Sequence, residues 1–226
     1  MRLSSGLYKD TLYEDLCSLI DGHYGAADAD YARYQADPVA FGKTVLGESY
    51  TEGIRLMLQS VRDNPFTVIK SANAVGKSHG SALAAMWFYK SYPNIQVYTA
   101  AAPPQQNLEK ILWGEIGSLV EKHPNVFKSD TVTNLHIQRS AQSFHTGVTI
   151  PTSGNASQRE AKFSGKHAPY LLFIVDETDA VPDEVLAGIE SCLSGGYARL
   201  LCMLNPRRSG PGNNCSKDKR MVPPVS

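Results

Sequence analysis

Two short motifs, in a fixed order, constrain this chain more than any other feature. Residues Ser71 to Ser78 read SANAVGKS. They follow the apolar run Phe66-Thr67-Val68-Ile69 and precede a stretch of helical character from Gly80 to Tyr89. Further along, Leu171 to Glu177 reads LLFIVDE, an apolar strand ending in two carboxylates. Each motif alone is weak. Together, a phosphate loop between strand and helix and a later strand ending in Asp-Glu specify ATP chemistry: the loop supplies phosphate contacts, and the pair supplies metal binding and a base.

The surrounding pattern supports that fold. Strands are expected at Phe66 to Lys70, Ile95 to Ala100, Leu171 to Val175 and Arg199 to Leu204. Helices are expected at Gly53 to Val61, Gly76 to Ser91, Gln105 to Val120 and about Asp183 to Cys192, with a hairpin from 132–138 and 144–150. Strand-helix alternation implies an α/β fold with a mainly parallel sheet and helices on both faces; with the phosphate loop and the Asp-Glu strand, the expected class is a P-loop NTPase of the ASCE type. Residues 1–48 read as a helical N-terminal extension that packs on the core or covers the nucleotide. Residues 49–208 read as the ATPase domain. Residues 209–226, polar and rich in Gly, Pro and Lys/Arg, read as a disordered tail.

The 22 basic and 22 acidic residues cancel, which excludes a strongly basic nucleic-acid binder and leaves only local or weak nucleic-acid contact. Cys17, Cys192, Cys202 and Cys215 are scattered and form no CxxC pair, so reduced, mostly buried thiols are expected. No apolar stretch reaches spanning length and MRLSSGLYKD lacks a signal core, so a soluble cytoplasmic protein without a membrane is expected.

Phosphates require inward backbone N–H groups, a helix N-terminus and a cation. The cradle is therefore assigned to Ser71, Ala72, Asn73, Ala74, Val75, Gly76, Lys77 and Ser78. Gly76 allows close approach, Lys77 reaches the β/γ-phosphates, and the Ser78 hydroxyl is a ligand for Mg²⁺. Asp176, ending a buried strand, is the second expected Mg²⁺ contact; Glu177 is the expected base that activates water. Asp179 and Asp183 read as a cap and surface charges, and Trp87, Phe88, Tyr89 and Trp113 as core. Arg159, in SQREAKFSGKH, is the first candidate for the arginine that contacts the γ-phosphate, with Arg139 behind it; an exposed loop arginine is the plainer alternative. Lys162 and Lys166 are open to DNA phosphates or to water, and His136, His145 and His167 lack metal spacing.

In order, the chain carries SANAVGKS, YTAAAPPQQNLEKILWGEI, FSGKHAPYLLFIVDETDAVPDEVLAGIES and LLCMLNPRR. This series resembles the ATPase domain of bacteriophage terminase large subunits, across roughly residues 36 to 208. Tyr98 to Gln106 is similar to the family's Thr-Ala-Pro stretch and Gln-containing helix, and Thr178 and Val181 to Glu184 match the segment after its Asp-Glu. Asn205 and Pro206 match a coupling motif that senses the γ-phosphate. The resemblance implies a motor hydrolysing ATP with Mg²⁺, assembled as a ring on a portal protein with a small terminase subunit, moving double-stranded DNA into a procapsid in the host cytoplasm.

Three features depart from the family. Ser71 replaces the first Gly of the loop, and no Arg lies within it. Glu52 and Gly53 stand where an adenine-contacting Gln is common. The family's nuclease domain is expected to lie outside these 226 residues. Two alternatives stay open at this point: a nucleotide-binding or assembly module without turnover, and a superfamily 2 helicase-like ATPase, which requires a second RecA-like domain.

Overall fold

The computed structural model describes residues 29–71 and 76–205. The helices expected before residue 29, loop residues Ala72 to Val75, Pro206 and the tail lie outside them. A short 3-10 turn, Ala29–Tyr34, leads into α1 (Pro38–Thr44), where Asp37 accepts from the Ala40 amide at 2.9 Å and Pro38 occupies the first turn. Thr51 caps α2 (Glu52–Asp63), which buries Ile54, Met57, Leu58 and Val61, the face expected from the sequence. Each such burial contributes about 1.5–3 kcal/mol.

β1 (Phe66–Lys70) feeds the phosphate loop and α3 (Lys77–Ser91) leaves it. From Gly80 to Ser91 every residue of α3 is buried, so it runs as a central rod rather than a surface helix. The remaining elements are β2 (Ile95–Ala101), a π-helical turn (Asn107–Leu112), α4 (Trp113–Lys122), β3 (Thr131–Thr133), β4 (His136–Ser140), β5 (Ser143–Gly147), α5 (Ala156–Phe163), β6 (Tyr170–Asp176), α6 (Asp183–Glu190) and β7 (Tyr197–Leu204). The seven strands form one sheet in the order β1-β7-β6-β2-β5-β4-β3, parallel from β1 through β5 and antiparallel beyond.

Helices cover both faces. Trp87, Phe88, Met86, Leu112 and Ile116 fill one face together with Phe41 and Leu46, so the described part of the N-terminal segment shares the sheet's core. Phe163, Val185, Leu186 and Ile189 fill the other against Phe173 and Leu200. Two details correct the sequence reading. The hairpin strands are shorter than 132–138 and 144–150: Leu135 takes a left-handed turn (φ 54), which ends β3 and lets it fold back on β4. The helix from Gln105 is not uniform, because the Trp113 amide reaches back to Leu108 O and opens a π turn ahead of α4.

Two buried polar groups sit far from the phosphate loop. Lys90 Nζ bonds Asp130 Oδ2 at 2.5 Å, Tyr89 OH bonds Oδ1 at 2.9 Å, and neither charged side chain is exposed at all. His145 is fully buried against Trp113, with ring centroids 4.7 Å apart, and its ring nitrogens have no hydrogen-bond partner among the described residues. Burial pushes its pKa down to about 3, so the ring is neutral.

Candidate functional site

The parallel strands β1, β7 and β6 end at one level. Lys70 pairs with Leu204 and Val175 with Cys202. A cavity of about 420 Å³ opens there. Gly76, Lys77, Ser78 and His79 line it from the start of α3; Asp176 and Glu177 from the end of β6; Asn205 from the end of β7. Asn107, Ile111 and Glu115 close the side towards α4.

The loop ends in a glycine for a stereochemical reason. Gly76 adopts φ 83, ψ 22, a left-handed conformation that side chains disfavour, and a Cβ there would also press on Ile54 Cδ1 at 3.3 Å. α3 starts directly after it with no side-chain cap, which leaves first-turn backbone N–H groups for an anion. Lys77 Nζ donates to Ser71 O at 2.7 Å and Asn205 Oδ1 at 2.6 Å. The lysine is thereby held across the mouth of the loop, against the residue expected to sense the γ-phosphate.

Asp176 is 8% exposed. Burial, above all, raises its pKa, and the nearby Asp179 charge adds to the rise. The Glu177 amide at 2.8 Å, the Lys77 charge and a hydrogen bond from Ser78 oppose the shift without cancelling it. A desolvated carboxylate bonded to a serine hydroxyl is a hard-oxygen pair suited to Mg²⁺, which would supply the missing positive charge. Asp179 corrects its reading as a cap or surface charge, because its carboxylate oxygens are buried.

Glu177 occupies φ 49, ψ 41, a strained position for a residue with a side chain and one that turns its carboxylate away from the line of β6. Asn107 Nδ2 donates to Glu177 Oε2 at 2.9 Å and is itself held by Ala102 O at 3.1 Å. Sequence reasoning stopped at Gln106 and missed Asn107, one residue further along the same stretch. It also passed over His79, Glu48 and Glu115, whose partners lie far apart in the chain.

Arg159 is not among the residues that line the cavity. It bonds Glu184 at 2.6 Å and Gly154 O at 2.7 Å, tying α5 to α6. Arg139 donates to Tyr92 O at 3.0 Å and lies over the Tyr89 ring. Glu52 accepts from Arg55 on the exposed side of α2. Lys162 Nζ reaches Thr149 and Lys166 lies over Tyr98. Among the described residues no helix is long and apolar enough to cross a membrane.

No protein-family model matches the chain. A probable terminase large subunit of Enterobacteria phage P7 is 26% identical over 182 residues, which cover 78% of this chain and 36% of that protein. The chain thus spans about a third of the length of the curated relative it matches. The large terminase of bacteriophage HK97 superimposes with a TM-score of 0.59 at 14% identity, over 75% of this chain and 37% of the other. The large-terminase ATPase domain of Thermus phage P74-26 does so with a TM-score of 0.56 at 19% identity, over 76% and 71%. In its sequence the chain is similar to a probable terminase large subunit, and in its fold it is similar to phage large terminases, the family that its motifs resemble.

Proposed function

We propose that this chain is the ATP-hydrolysing motor domain of a phage terminase large subunit. The observation that carries the reading is the meeting of Lys77, Ser78, Asp176, Glu177 and Asn205 in one cavity, at the ends of three adjacent parallel strands. The likeness to large terminases supports the same reading.

Residues Ser71 to Ser78, including Ala72, Asn73, Ala74 and Val75, cradle the ATP phosphates. Lys77 exchanges its contacts with Ser71 O and Asn205 for phosphate oxygens. Ser78 and Asp176 would hold Mg²⁺, which would supply positive charge to offset that of the phosphates. Glu177 takes a proton from the attacking water, with Asn107 fixing the carboxylate oxygen at 2.9 Å. Asn205, released or retained by Lys77 according to occupancy, reports the state of the γ-phosphate to β7.

In this reading residues 49–208 are the motor domain, residues 1–48 its extension and 209–226 a tail. Double-stranded DNA, a portal protein, a small terminase subunit and further copies of this chain in a ring are the partners, in the host-cell cytoplasm. A second reading, nucleotide binding without turnover, is favoured by one observation: no arginine is among the described residues lining the cavity.

Mg-ATP hydrolysis by the purified chain, beside Lys77→Ala and Glu177→Ala, separates the two. The motor reading expects Lys77→Ala to lose nucleotide binding, and Glu177→Ala to keep it while turnover falls about 10²- to 10⁴-fold. Binding without turnover in the unaltered chain would favour the second reading. Undiminished turnover in Glu177→Ala would remove that residue from its role.

A further inference from the structure

One side-chain amide joins the ends of two strands. Asn107 Nδ2 donates to Ala102 O at 3.1 Å and to Glu177 Oε2 at 2.9 Å. Both partners are acceptors, so the nitrogen of the amide faces them, and its two hydrogens match the two bonds. The Ala102 backbone amide in turn donates to Asp176 O at 3.2 Å, one step past the last β2–β6 pair, Ala101 with Asp176. A ring of bonds thus runs from Asp176 through Ala102 and Asn107 to Glu177. It refers the Glu177 carboxylate to the end of β2, a strand that supplies none of the described residues lining the cavity.

The π turn gives Asn107 its direction. In an α-helix residues four apart drift about 40° around the axis, so 107, 111 and 115 would fan over about 80°. A π turn closes with i→i+5 bonds, holds more residues per turn and removes much of that drift. Asn107, Ile111 and Glu115 line one cavity, while Leu108, Leu112 and Ile116 are buried in the core. Trp113 pins the turn to β2 as well, since its amide bonds Leu108 O and its Nε1 donates to Thr99 Oγ1 at 2.9 Å. We infer that Asn107, presented by the π turn, is a positioning residue through which β2 sets the place of the Glu177 carboxylate, so that turnover can change while nucleotide binding does not. A glutamate side chain has several rotatable bonds, and a donor fixed on one oxygen selects among them. The inference rests on the ATP-hydrolysing reading of the cavity. It assigns Asn107 no contact with the reacting atoms.

The test sets Mg-ATP turnover at saturating nucleotide beside the affinity for a fluorescent ATP analogue, in the 226-residue chain. Asn107→Leu, similar in size and without a donor, is expected to lower turnover about 10- to 100-fold, the worth of a hydrogen bond to a charged group. Its affinity is expected to stay within about 2-fold of the unaltered chain. Asn107→Asp keeps the shape but only accepts on the side of Ala102 O and Glu177; it is expected to fall at least as far, and serves where the leucine variant folds poorly. In nitrogen-edited NMR spectra of the ligand-free chain, the Asn107 side-chain amide, identified by its loss in Asn107→Leu, is expected to move in Glu177→Ala. Unchanged turnover in both Asn107 variants, a loss of affinity as large as the loss of turnover, or an unmoved amide signal overturns the inference while the ATP reading stands. An unaltered chain that binds nucleotide without turnover overturns the motor reading and this inference with it, and one that binds it no better than Lys77→Ala overturns the nucleotide reading as well.

Discussion

A lysine meets polar acceptors at both ends of α3, and the two settings differ in kind. At the C-terminal end, Lys90 and Asp130 are sealed from water, and Tyr89 takes the second carboxylate oxygen. That charge is matched inside the protein. At the N-terminal end, Lys77 leans on a carbonyl and an amide oxygen, while the neighbouring Asp176 is left with a raised pKa. The first arrangement is closed and serves to fix α3 against the 123–130 connection. The second sets a lysine beside a buried carboxylate whose pKa burial raises, the kind of setting the proposed nucleotide site would use.

The contrast can be broken most forcefully at the closed end. Asp130→Ala leaves Lys90 buried without its carboxylate and should cost about 3–5 kcal/mol of stability, read by urea unfolding. A loss within error would mean that the Lys90 end is as tolerant as the open one.

His145 offers an intermediate case, a buried polar ring with no charge to match. Its folded pKa, about 3, lies below the usual value of 6.5. The unfolded chain therefore binds the extra proton first, and stability falls as pH drops from about 6.5 towards 3, by up to about 1.4 kcal/mol per pH unit. His145→Phe should flatten the denaturation midpoint over that range; an unchanged slope would show that the ring is not buried in its neutral form.

The smallest effect is expected at the open end, and with the opposite sign. Asp176 is raised, so the folded chain holds its proton to higher pH than the unfolded one. The contribution to stability is greatest below the unfolded carboxylate pKa and is lost as pH rises through the folded one. Asp176→Asn should accordingly leave the ligand-free chain at neutral pH equally or slightly more stable, by no more than about 1 kcal/mol, while abolishing Mg-dependent nucleotide binding. A marked loss of thermal stability in that variant would make Asp176 another structural carboxylate, like Asp130.

The parts legible in the sequence are those set by local pattern. β1 coincides with its expected bounds, because Phe66 to Lys70 is a short apolar run closed off by Asn64-Pro65 before it and by the loop after it. The parallel order followed from alternation, and the core assignment of Trp87, Phe88 and Tyr89 from their place on the loop helix. What sequence could not supply depends on distant partners. Asn107 gains its role only where the π turn faces Glu177, 70 positions away. Glu48, His79 and Glu115 are unremarkable one by one and meet only in space. Arg159 shows the reverse: it lies close to the Asp-Glu strand in sequence, whereas in space it bonds Glu184 on the next helix and Gly154 O.

The position of β7 between β1 and β6 has a consequence for how this chain can change. β7 acts as a gauge block for the site: its length sets the distance from the anchored residue Tyr197, whose hydroxyl bonds Arg62 O at 2.8 Å, to Asn205 at the mouth of the loop. Adding or removing one residue between them would leave the composition apolar and the core still fillable. It would nonetheless move Asn205 by about 3.3 Å and turn every side chain along the strand to the opposite face. Length variation should therefore be borne by the connections at 148–155 and 191–196, while the eight residues of β7 keep their number even where their identities drift.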